Sequence, residues 1–77
     1  MPYARNRDLP DNVRGVLPEH AQEIYRKAFN SAFDEYEHAE DRRGDASREE
    51  TAHKVAWAAV KKVYDKGDDG RWHRRKR

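Results

Sequence analysis

The chain has 77 residues, 42% of them charged and 35% hydrophobic, with no cysteine and a formal net charge of +2. That length allows one domain at most, and a chain so short buries only about 60–65% of the surface it exposes unfolded. Disulfides, thiolate catalysis and cysteine-based metal centres are excluded, and no apolar run approaches the roughly 20 residues of a membrane span.

The charge is unevenly spread. Residues 71–77 carry five Arg or Lys and no acid, which leaves 12 basic and 15 acidic residues in 1–70, a net of −3. Basic character therefore belongs to the C-terminal tail. The polarity would permit disorder, but two Trp, four Tyr and two Phe recur at helical spacing and favour a small folded domain. The N-terminal stretch "MPYARNRDLPDN" has no apolar segment of the signal-peptide kind, so a cytoplasmic protein is expected.

Taken in chain order, "DLPDNVRGVLP" predicts a short first helix, with Pro10 at a first helical position and Gly15 ending it. Pro18 opens a second helix running to about Ala39. On a helical wheel Ala21, Ile24, Tyr25, Ala28, Phe29, Ala32, Phe33 and Tyr36 fall within an arc of about 180°, and Arg26, Asn30, Asp34 and Glu37 lie opposite. Gly44 marks a turn. "SREE" has the capping-box form, with Ser47 as N-cap and Glu50 three residues on; Asp45 competes for the cap. A third helix follows over about 48–66, with Glu49 and Glu50 suited to its positive end, Lys61, Lys62 and Lys66 to its negative end, and Gly67 as its C-terminal cap. Its apolar residues are Ala52, Val55, Ala56, Trp57, Ala59, Val60, Val63 and Tyr64.

The fold class expected is all-α: a small single-domain helical bundle of one short and two longer helices. The longer pair forms an antiparallel hairpin. Tyr3 and Trp72 remain near the ends, with room for a minor two-stranded pairing of the termini. The domain is expected over residues 1–70 and a basic tail over 71–77, flexible beyond Trp72.

Candidate chemistry is sparse. His53 lies inside the apolar arc, but no nucleophile or second ligand sits at a helical spacing that would serve it, so a packed, hydrogen-bonded structural residue is expected. His20 and His38 share a wheel angle yet stand about 27 Å apart along a helix, too far to share a metal. "DKGDDGRWHRRK" places Asp65, Asp69 and Gly70 as an EF-hand loop would, but has Gly67 at its third position and Lys76 at its twelfth. "DRRGDASREETA" fails at its sixth and twelfth positions. No phosphate loop or nucleophile elbow is present. The reading is no enzyme, no cofactor, no metal and no small-molecule substrate.

Two features point to a macromolecular partner. In "GRWHRRKR", the residues Arg71, Trp72, Arg74, Arg75, Lys76 and Arg77 combine counterion-releasing cations with a stacking ring, suited to nucleic acid or an acidic partner. In the acidic run "DEYEHAED", the residues Asp34, Glu37 and Asp41 form a face that could steer a partner.

From "DLPDNVRGVLPEHAQEIYRKAFNSAF" through "RRGDASREETAHKVAWAAVKKVYDKGDDGRW", roughly residues 2–72, the chain resembles the ChaB family, described as cation transport regulators. The resemblance implies a mostly helical cytoplasmic domain, not an enzyme, that regulates a cation/proton antiporter of the calcium or sodium type by protein–protein contact. It brings no catalytic residues and does not reach "RRKR". ChaB-like proteins of viruses, for which a nucleic-acid role has been suggested, keep nucleic-acid binding through the basic tail as the alternative. A monomer is expected.

Overall fold

The structure, a computed structural model, describes residues 2–37 and 47–75. A 3-10 turn over Asn6–Asp8 leads to helix α1 (Asp11–Arg14), helix α2 (Glu19–Glu35), helix α3 (Arg48–Lys61) and an antiparallel pair of strands, β1 (Tyr64–Lys66) and β2 (Trp72–Arg74). Helices α2 and α3 make the main contact of the domain.

Both long helices bury a narrow stripe. On α2 it is Ala21, Tyr25, Phe29 and Ala32; on α3 it is Ala52, Ala56 and Val60, continued by Tyr64. These four- and three-residue steps keep one face toward the partner helix. The α2 stripe carries two large rings and the α3 stripe mostly small side chains, while the Tyr25 ring also reaches His53 and Trp57 of α3. Leu9, Val13 and Leu17, from α1 and its flanks, close the open side of the hairpin. Val55, expected in the apolar arc, is instead an exposed large hydrophobic.

Pro10 and Pro18 stand just outside α1 and α2 as N-caps in extended conformation, one position before the expected first turn. Gly15 ends α1 as expected. Helix α2 gives way at Tyr36, short of the expected end; Ala39, Gly44 and Asp45 lie outside the described residues. Ser47 caps α3, its Oγ accepting the Glu50 N–H at 3.0 Å. Arg48 then ties the two helices together: its guanidinium lies 3.8 Å from the Phe33 ring centroid, and its Nε donates to the Phe33 carbonyl, one of the acceptors a helix C-terminus leaves open.

Helix α3 stops five residues before the expected limit. The Lys62 and Val63 amides bond back to Ala59 and Val60, a tightened last turn. The chain then extends, with Tyr64 opposite Arg74, Asp65 opposite His73 and Lys66 opposite Trp72. Gly67 is thus a hairpin residue and not a helix cap. A Cβ there would stand 2.7 Å from the exposed His73 ring, which would have to shift, and Gly70 takes φ +82, the conformation that favours glycine. The two-stranded pairing exists, but both strands come from the C-terminal segment.

The N-terminus has a different anchor. Asn30, expected on the polar face, is buried: its amide accepts the Tyr3 N–H at 3.0 Å and donates to the Tyr3 carbonyl at 2.8 Å, as a strand partner would. Arg26, expected there too, donates to Asn6 Oδ1 at 2.8 Å. Residues 3–8 therefore cover a second face of α2.

Candidate interaction site

Helix α3 and the β-hairpin position the most concentrated set of binding-type side chains. Trp57, on the outer flank of the α3 stripe, lies 5.3 Å from Trp72 between ring centroids, the planes inclined by 32°. Trp72 is fixed from both ends: its N–H donates to the Val16 carbonyl at 3.0 Å, and its strand is held as the Arg75 N–H donates to the Val63 carbonyl at 2.8 Å. The expected contact residues therefore divide. Trp72 is half-buried, Arg71 and Arg74 are exposed, and Arg75 is engaged with Asp65, Nε to Oδ1 at 2.9 Å. Lys76 and Arg77 lie outside the described residues.

The remaining acids of the hairpin are partly committed. Asp69 accepts the Arg71 N–H at 3.0 Å and meets His73 Nε2 at 3.1 Å. The Arg71 N–H first, and then the His73 ring, hold its carboxyl below the ordinary carboxylate range. Asp65 is thus paired with Arg75, and Asp69 with the Arg71 N–H and the His73 ring, within a β-hairpin, an arrangement unlike a calcium loop, and no cluster of three metal-ligating side chains forms among the described residues.

Lys61, Lys66 and Trp57 join this region, which sequence reasoning missed by assigning the lysines to the helix dipole. Their signal was the i, i+4 step from Trp57 to Lys61, which places both on one helical flank. Two hollows, of about 380 and 320 Å³, flank Trp72. The first is edged by Arg14, Arg71 and His73, the second by Trp57, Lys61 and Lys66.

At the opposite end of the hairpin, Asp34 is exposed and lies 4.0 Å from Arg48, and Glu37 is exposed beyond the end of α2. Asp41 and His38 lie outside the described residues. The basic and acidic ends are thus separated by the length of α2, about 25 Å for 17 residues.

His53 is hydrogen-bonded at both ring nitrogens. Trp57 Nε1–H, which can only donate, reaches His53 Nε2 at 2.9 Å. The ring proton therefore sits on Nδ1 and is donated to the Tyr25 hydroxyl oxygen. His53 is more exposed than its wheel position implied, and its partners are the Tyr25 phenol and the Trp57 indole. Burial first, and then the neighbouring Tyr3, raises the Tyr25 phenol well above its ordinary range. His20 Nδ1 lies 3.1 Å from the Tyr64 hydroxyl.

These features define a small helical-hairpin domain with an appended β-hairpin, carrying shallow, charge-edged surface hollows. The chain belongs to the ChaB family, whose model matches residues 9–75. Proteins of Escherichia coli K12, Escherichia coli O157:H7 and Shigella flexneri, each named "Putative cation transport regulator ChaB", are 67% identical over 75 residues, covering 97% of this chain and 99% of theirs. An NMR solution structure of a protein of that name is 65% identical and superposes with a TM-score of 0.82, over 97% of this chain and 100% of the other.

Proposed function

We propose that this chain regulates cation transport as a non-catalytic module, by direct contact with a cation/proton antiporter of the calcium or sodium type. The supporting observation is the 67% identity, over nearly the whole chain, to proteins named as cation transport regulators. The surface agrees with a contact role: the hollows are shallow and open, and Trp72 with the basic residues Arg71, Arg74 and Arg75 stands at the opposite end of the helical hairpin from Asp34 and Glu37. Such a dipolar module presents itself to a partner in one preferred orientation. No helix among the described residues is long and apolar enough to cross a membrane; in this reading the chain is a monomer that meets the antiporter from the cytoplasmic side.

Affinity capture with the full chain from detergent-solubilised membranes, with and without nuclease, tests this reading. The expected result is recovery of an antiporter in equal amount under both conditions. Recovery that disappears with nuclease overturns it in favour of nucleic-acid binding.

A further inference from the structure

We propose that the face around Trp72 is a docking groove for an acidic polypeptide segment carrying one apolar anchor side chain. The groove names the partner's chemistry and so rests on the interaction-module reading above.

Neither hollow beside Trp72 is lined by a carboxylate, although the chain carries 15 acidic residues against 17 basic ones. Among the described residues, Lys61, Lys66 and Arg71 have no carboxylate within ion-pair distance. Arg14 meets Asp11 only at 3.8 Å, between exposed side chains, a contact of negligible strength. Uncompensated cations therefore stand on both sides of one indole. The floor between them is apolar, formed by Val16, Trp57 and Trp72. An aliphatic or aromatic side chain seated there would bring flanking carboxylates toward Lys61 and Lys66 on one side and Arg71 on the other. Tryptophan and arginine at the centre of a contact are the types that carry most binding energy in protein interfaces.

The same hairpin disfavours a nucleic acid. A polyphosphate needs a continuous cationic track. Here Asp65, Asp68 and Asp69 interrupt it. A peptide with two or three carboxylates around an anchor avoids that repulsion.

The test is fluorescence anisotropy with a fluorescein-labelled peptide of alternating Glu and Asp around a central leucine. Saturable binding is expected, weakening with salt and falling at least tenfold when the leucine becomes serine. A Lys61→Glu/Lys66→Glu chain should lose at least tenfold in affinity; both side chains are exposed, and circular dichroism checks that the fold persists. Unchanged affinity in that folded variant overturns the groove, as does tighter binding of an oligothymidylate of equal charge. Absence of peptide binding by the unaltered chain, with antiporter capture intact, overturns the groove alone; peptide binding without antiporter capture overturns the antiporter reading alone.

Discussion

Tyr25 concentrates the chemistry of the core in one side chain. Its ring lies between Phe29, at 6.0 Å, and Trp57, at 5.3 Å, and its hydroxyl oxygen accepts the His53 proton. Ionising the phenol would place a charge in a residue that is 1% exposed. Since its pKa is raised in the folded state, its contribution to stability is complete below the unfolded value of 10.0 and is lost as pH rises past it. Urea denaturation as a function of pH should therefore show stability falling above about pH 10. Tyr25→Phe should be less stable at neutral pH by about 0.5–1.5 kcal/mol, for the lost hydrogen bond, yet show a shallower alkaline decline. Parallel declines in the two proteins would refute the assignment. Tyr3, also raised by burial and by Glu49, leaves a residual slope in the variant.

At the level of elements, the hairpin depends on small residues along α3. Ala56 is fully buried on the stripe that meets α2. Ala56→Leu should separate the helices and cost about 1–3 kcal/mol, read as a lowered denaturation midpoint with the helical signal retained. An unchanged midpoint would show that the interface has slack. This part of the fold was legible, because apolar spacing, the Ser47 cap and the glycine after α1 are local signals that act within a turn or two. The end of α3 was not. Val63 and Tyr64 continue a helical pattern, and only distant partners, the Arg74 backbone across the sheet and His20 beside the Tyr64 hydroxyl, convert that stretch to strand. Asn30 misled for the same reason: its spacing says solvent, while its partner is the backbone of Tyr3, 27 residues away. The aromatic and basic members of the candidate site were legible by type, but not the division among them, since Arg75 is engaged by Asp65 and the two lysines of the groove come from other elements.

Across the whole molecule, both ends of the described chain lie against the helical hairpin. A chain shortened to residues 1–70 would lose β2, the Trp57–Trp72 contact and the bond from Trp72 to Val16. For a half-buried tryptophan and its strand, a loss of at least about 2 kcal/mol is expected, which lowers the melting temperature of a domain this size by roughly 10 °C. A thermal melt followed by circular dichroism checks it; an unchanged melting temperature would make residues 71–75 an appendage. Charge reversals such as Lys61→Glu are accordingly the cleaner probe of binding.

The rings also form an unbroken series from Tyr3 through Phe29, Tyr25 and Trp57 to Trp72, with successive centroids 4.9, 6.0, 5.3 and 5.3 Å apart. Two indoles so close couple their electronic transitions into an exciton pair, whose paired bands of opposite sign in circular dichroism depend on the angle between the rings. The protein thus carries a native optical gauge of β-hairpin docking, separate from the helical signal and needing no label.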